Sequence, residues 1–161
     1  MIRATVPDDT PALLKLTEAT GVFRPLEIVA LQEVLDDYHG GNREQGHLCV
    51  TEADAAGIRG FAYYAPAAMT LGTWYLWWIA VATERHGQGI GTLLLQHLEK
   101  DIDSKAGRHL LVETSSMPHY EPTRRFYEKH GYQRHAVLED YYAPGDSMVV
   151  YRKLFQPRSS A

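Results

Sequence analysis

Apolar residues recur along this chain with two periods, one near 3.6 and one near 2, and the change from one to the other marks its elements. In PDDTPALLKLTEATG, residues 7–21, Ala12, Leu13 and Leu16 share one side of a helix, with Asp8 or Asp9 as its cap and Gly21 just past its end. In RPLEIVALQEVLDDY, residues 24–38, Ile28, Leu31, Val34, Leu35 and Tyr38 keep helical spacing while Glu27, Glu33 and Asp37 face water. The two segments read as an αα unit. Polar HGGNREQG then gives way to strand-like HLCVTE and IRGFAYYA, joined by ADAAG, which predicts an antiparallel hairpin.

The stretch WYLWWIAV, residues 74–81, is aromatic and β-branched with no charge, the signature of a central strand buried on both faces. Ile90, Leu94, Leu98 and Ile102 mark one stripe of a following helix that Gly107 stops. HLLVETSS is a second buried strand, and Pro122 stands at the first helical position of PTRRFYEKH, with Gly131 past its end. Tyr132–Tyr141 and Ser147–Phe155 read as strands joined by the turn YAPGD. Residues 1–155 are expected to form a single domain, and 156–161, QPRSSA, a disordered tail.

Composition narrows the partners. A chain of 161 residues with 45% hydrophobic and 22% charged residues has the length and make-up of one ordinary globular domain, and a net charge of −4 offers no general attraction to nucleic acid. Cys49 is the only cysteine, so no internal disulfide forms, which fits a reducing compartment; the cytoplasm is the expected location. No apolar run approaches the roughly 18 residues of a membrane span, and no secretory signal is recognised. The nearest histidine pairs, His130 with His135 and His39 with His47, lack zinc-like spacing, so no protein metal site is expected.

Chemistry concentrates in ERHGQGIGTLLL, residues 84–95, where Gly87, Gly89 and Gly91 occupy alternate positions between a strand and a helix. Glycine disfavours a helix by roughly 1 kcal/mol relative to alanine, so three of them are not there for local order. Unpaired amides and the positive dipole end at a helix start form an anion site, and glycines let a diphosphate approach the main chain. A nucleotide P-loop would need a lysine and a hydroxyl after the last glycine, where this chain has Thr92 and Leu93. A dinucleotide-binding oxidoreductase is a remote alternative: Gly87 and Gly89 match the first two glycines of its fingerprint and Glu113 could take a ribose hydroxyl, but its third glycine falls on Thr92.

The segment RHGQGIGTLLL resembles the pyrophosphate loop of the GNAT superfamily of N-acetyltransferases, WWIAV resembles that family's central strand, and RRFYEKHGY its later helix. The order from Trp74 to Tyr132, with two helices and a hairpin before it, extends the likeness over nearly the whole chain. His86 stands where the family usually has glutamine or arginine before the first loop glycine, with Arg85 one place earlier. The resemblance implies an α/β (α+β) fold, a mixed and mostly antiparallel sheet with splayed central strands and about four flanking helices. It implies acetyl-CoA as co-substrate, main-chain pairing of its pantetheine arm with Ile79 and Val81, an oxyanion donor at the Val81 amide, and the pyrophosphate over His86, Gly87, Gln88, Gly89, Ile90, Gly91 and Thr92.

Acetyl transfer to an amine needs a proton for the departing thiolate and an acceptor for the proton of the amine. Tyr127 is the candidate acid, chiefly on the resemblance. Glu113, the only carboxylate inside the apolar strand LLVETSS, is the candidate base, with a water chain as the other route; its ordinary structural reading is an outward carboxylate paired with Arg125. Acceptor contacts are assigned to Phe23, Arg24, Tyr141, Tyr142 and Asp146, whose aromatic and acidic character suits a small cationic amine. The expected activity is direct transfer to a primary amine of a small molecule through a ternary complex. The alternatives are a protein N-terminal or lysine acetyltransferase and a non-catalytic acyl-CoA sensor, and the exposed sheet edges are compatible with a homodimer.

Overall fold

The computed structural model describes residues 1–156. In chain order its main elements are β1 (Ile2–Ala4), α1 (Thr10–Ala19), α2 (Pro25–Gly40), β2 (Leu48–Asp54), β3 (Gly57–Pro66), β4 (Thr73–Val81), α3 (Ile90–Ser104), β5 (His109–Ser115), α4 (Glu121–Lys129), β6 (Gln133–Ala143) and β7 (Asp146–Leu154). The seven strands are hydrogen-bonded in the order β1-β2-β3-β4-β5-β7-β6, and all neighbours with a stated register are antiparallel except the parallel pair β4–β5. No helix among the described residues is long and apolar enough to cross a membrane. Contacts divide the chain into two units, Met1–Ala65 with Trp77–Asp101, and Pro66–Leu76 with the residues from Ile102 onward.

The first unit is built on the β2–β3 hairpin. Helical spacing on α1 and α2 brings Leu13, Leu16, Leu31, Leu35 and Tyr38 into one cluster with Cys49, Phe61, Tyr63, Ala65, Ala80 and Ala82 from the strands, and burying such side chains stabilises by roughly 1.5–3 kcal/mol each. Two expectations are corrected here. Ala12 faces solvent rather than the core. Asp9 does not cap α1: its buried carboxylate accepts from Arg3 at 2.7 and 2.9 Å and from the Val6 amide at 2.9 Å, and the Arg3 guanidinium holds it below the usual carboxylate range. The short strand β1, paired with β2 through Ile2↔Glu52, has too few residues to show a period.

Ile90, Leu94, Leu95 and Leu98 of α3 are buried, and the Tyr64 hydroxyl donates to Asp101 at 2.7 Å, fastening β3 to the helix. Gly60 makes that packing possible. A Cβ there would lie 2.9 Å from the Ala80 carbonyl oxygen, 3.1 Å from Leu94 Cδ1 and 3.3 Å from Ile90 Cγ2.

In the second unit the start of β4 pairs with β5 from Thr73↔His109 to Leu76↔Val112. On its other side β5 pairs along its length with β7, which pairs with the long outer strand β6. The β6–β7 turn has Pro144 and Gly145 at its centre, Gly145 at φ 83°, the arrangement in which proline and then a positive-φ residue reverse the chain. Residues 157–161, most of the expected tail, lie outside the described residues.

Candidate functional site

The end of β4 leads through Ala82, whose amide donates to the Arg59 carbonyl at 2.8 Å, into a tight turn at Thr83–Arg85 and then the glycines. Gly87 and Gly89 have φ of 79° and 77°, a region that side chains with a Cβ rarely enter, and a Cβ built on either meets nothing within 4 Å. Gly91 is the second residue of α3 and has an ordinary helical sign of φ. As α3 begins, the Leu93 amide donates to the Gly89 carbonyl at 3.0 Å. The turn therefore presents main chain, open space above it and the positive end of a fifteen-residue helix.

The flanking charges are arranged to hold the turn. Arg85 lies 3.5 Å from Asp54 of the hairpin, and Arg59 lies 3.8 Å from the same carboxylate while also pairing with the buried Glu52. The His86 ring turns back so that Nε2 stands 2.9 Å from the Val81 carbonyl. Ile79 and Val81 are half-buried, and β4 is not covered on both faces: Trp77 is 45% exposed. Trp77 rests on Tyr63, a member of the α1/α2-side cluster, and Trp78 packs against that same cluster. Neighbouring residues of a regular strand point to opposite faces, so alternation is interrupted at this step.

In the second unit, Tyr127 is 2% exposed, with its ring centroid 5.4 Å from Phe126, 5.5 Å from Tyr132 and 6.3 Å from Tyr151. Burial, with a smaller effect of Tyr120, pushes its phenol well above the ordinary range, so it stays protonated at neutral pH. Helix α4 is tied to the end of β5 by Arg124, whose Nη1 donates to the Ser115 carbonyl at 2.6 Å and the Met117 carbonyl at 3.0 Å. Glu113 keeps surface open to solvent, yet the surrounding protein desolvates its carboxyl enough to raise it above the usual range. Arg125 pairs with Glu121 at 2.7 Å and not with Glu113.

The remaining expected acceptor residues have other engagements. Phe23 packs on Trp78 at 5.3 Å, and the exposed Arg24 starts α2, its amide capped by Glu27 at 2.6 Å. Tyr141 and Tyr142 meet edge to face at 5.0 Å, and Asp146 accepts from Ser115 Oγ. Among the described residues, no group of three or more histidine, cysteine, aspartate or glutamate side chains is placed to hold a metal ion.

A family model described as an acetyltransferase (GNAT) domain matches residues 44–134, more than half of the chain and inclusive of the glycine turn, α3, β5 and α4. The chain belongs to the GNAT acetyltransferase family. A GNAT-family protein from Desulfovibrio desulfuricans superposes with a TM-score of 0.91 at 36% identity, over 96% of this chain and 98% of that one. An aminoglycoside 6'-acetyltransferase type Ii does so at 0.80 and 25% identity, over 98% and 99%. The ribosomal-protein-S18-alanine N-acetyltransferase of Escherichia coli, 17% identical with a TM-score of 0.77 over 100% and 98% of the two chains, shares the fold. YsnE of Bacillus subtilis, named an N-acetyltransferase, is 31% identical over 67 residues; the match spans 42% of this chain and 44% of that relative's length.

Several residues that hold these elements of the GNAT chain in place were not singled out from the sequence. Gly60 was detectable as a glycine inside a strand pattern, which marks close backbone approach. Arg124 carried no signal separating it from a surface arginine of α4. The grouping of His47, Tyr63 and Trp77, which are remote in sequence, is created by the strand order.

Proposed function

We propose that this chain is an acetyl-CoA-dependent N-acetyltransferase that passes the acetyl group directly to a primary amine of a small molecule in a ternary complex. The observation that carries the reading is the turn at Gly87 and Gly89, whose positive φ and open surroundings leave main chain accessible at the start of α3. The family adds to it, and the name of the 25% identical aminoglycoside 6'-acetyltransferase favours a small-molecule acceptor over a protein one.

Acetyl-CoA supplies an activated thioester. The amides from Gly87 to Thr92 hold its diphosphate, with His86 and Gln88 bordering the turn, and the main chain of Ile79 and Val81 pairs with its arm as an added strand. The Val81 amide donates to the carbonyl oxygen as negative charge grows there. Tyr127 gives its proton to the leaving sulfur and regains one from solvent. Glu113, directly or through water, takes the proton that the amine nitrogen loses as the new C–N bond forms and the C–S bond breaks. A carboxyl raised by desolvation is a better base than an ordinary one. Phe23, Arg24, Tyr142 and Asp146 border the acceptor.

Thiol-release kinetics with acetyl-CoA and a panel of small amines, N-terminal peptides and lysine peptides tests this. Turnover of a small amine with the higher kcat/KM supports it. Preference for a peptide amine redirects it to protein acetylation, and tight acetyl-CoA binding with no turnover on any acceptor replaces it by a sensor.

A further inference from the structure

Trp77 is the one large aromatic of β4 left 45% exposed, and it does not stand alone. Its ring centroid is 5.1 Å from His47 at a steep angle and 5.2 Å from Tyr63. His47 Nδ1 and the Tyr63 hydroxyl are hydrogen-bonded at 2.6 Å, and Tyr63, fully buried, is in turn braced edge-on by Tyr38 of α2 at 5.7 Å. The result is a rigid aromatic floor with one indole open to solvent. A tryptophan grouped with two further rings and open on one side offers a ligand a ready-made aromatic face.

The position of the floor says which ligand. On the coenzyme reading above, on which this inference rests, the chain's main-chain partners for the arm run backward along β4 from the glycine turn to Val81 and then Ile79. Trp77 comes next, two residues or about 7 Å further along the same strand. It therefore borders the place where the acceptor meets the acyl group. The open indole face decides the class of acceptor, and the charges around it agree. The negative Asp37 of α2 is close enough to act on the Tyr63 phenol, and burial lowers the His47 pKa so that its ring is neutral at pH 7. The other titratable groups around the pair are Cys49 of β2 and Tyr38 of α2, both acting on Tyr63, and Arg43 ahead of β2, acting on Tyr38. The open face of an indole attracts a cation, and the neutral imidazole at its edge does not repel one.

We propose that Trp77, seated on His47 and Tyr63, is a specificity-determining surface of this enzyme, and that the acceptor it selects carries a cationic group in addition to the nitrogen that is acetylated.

The probes are 1,4-diaminobutane, which has a second ammonium, and n-butylamine, which lacks it. Binding of each is followed by the NMR shift of the Trp77 indole N–H, assigned by its loss in Trp77→Phe, and turnover by thiol release. The diamine is expected to shift the Trp77 resonance and to have a KM at least several-fold below that of the monoamine. Trp77→Leu is expected to weaken diamine binding about 3- to 30-fold and to bring the KM of the diamine close to that of the monoamine, while the calorimetric affinity for acetyl-CoA stays within twofold. Diamine binding is also expected to weaken as pH falls below the ordinary histidine range and His47 becomes charged, and to lose that dependence in His47→Gln. Should His47→Gln not fold, the pH dependence of the Trp77 resonance in the unaltered protein reads the same coupling. Equal affinity for the two probes, an unshifted Trp77 resonance, or an unchanged diamine preference in Trp77→Leu overturns the proposal while acetyl-CoA still binds. Failure of acetyl-CoA to bind at all removes the coenzyme reading and this proposal with it.

Discussion

Nε2 of His86 lies 2.9 Å from the carbonyl oxygen of Val81, so the glycine turn is latched to the last residue of the strand that precedes it. The ring is the donor and the carbonyl the acceptor, and the contact fixes where the turn begins relative to β4. A hydrogen bond of this kind is worth about 0.5–1.5 kcal/mol net. Replacing His86 by alanine is expected to lower acetyl-CoA affinity about 2- to 12-fold by calorimetry, with little change in thermal stability because the side chain is exposed.

Tyr127→Phe keeps the ring packing against Phe126, Tyr132 and Tyr151 and removes only the hydroxyl. On the proposed mechanism kcat falls about 10- to 10⁴-fold while acetyl-CoA affinity is unchanged. Because burial raises the phenol, the alkaline limb of the pH–rate profile should lie above the range of an ordinary tyrosine. A Phe variant with undiminished kcat assigns the proton to another donor.

Glu113 links chemistry to stability. Its carboxyl is raised from 4.5 in the folded chain, so between that value and its raised one the folded state holds more protons than the unfolded state, and stability falls as pH increases. Glu113→Gln should therefore be slightly more stable than the parent at pH 7, by less than about 3 °C in Tm, with the gain vanishing below pH 4.5. The same variant should lose activity if Glu113 is the base. Retained activity with the stability gain would indicate that water alone receives the proton.

Gly60 lets the start of α3 lie directly on β3, and alanine there would press on the Ala80 main chain at 2.9 Å as well as on Leu94 and Ile90. Overpacking of this kind costs about 1–3 kcal/mol. Gly60→Ala should lower the midpoint of denaturant unfolding accordingly and weaken acetyl-CoA binding, since it displaces the helix start that carries the turn.

Cys49 is 1% exposed and its thiol is pushed up to about 12 by burial. At pH 8 the thiolate fraction is then about 10⁻⁴. Aromatic disulfide reagents should label it only as the chain unfolds, and thiol-release assays should carry no protein background.

Long periodic segments made α2, α3 and the β2–β3 hairpin legible, because sixteen and fifteen helical residues and an alternating pair of strands leave a pattern that survives exceptions. The glycine turn was legible for another reason: positive φ at Gly87 and Gly89 restricts residue type, so backbone geometry is written directly in the sequence. Partner choice was not. Asp9 looks like a helix cap until Arg3 is seen beside it, and Arg85 looks available for phosphate until Asp54 is seen 3.5 Å away. Trp77 reads as buried in an uncharged strand because periodicity cannot show where alternation is interrupted.

The most direct measurement is calorimetric titration of the purified chain with acetyl-CoA and, separately, with NAD, repeated on Gly89→Val. At φ 77° a β-branched residue is strained, and its side chain would occupy the space above the turn that the diphosphate needs. The account predicts saturable binding of acetyl-CoA, no heat with NAD, and at least tenfold weaker acetyl-CoA binding in Gly89→Val, about 1.4 kcal/mol. No binding of acetyl-CoA at millimolar concentration, or equal affinity in the variant, would contradict it.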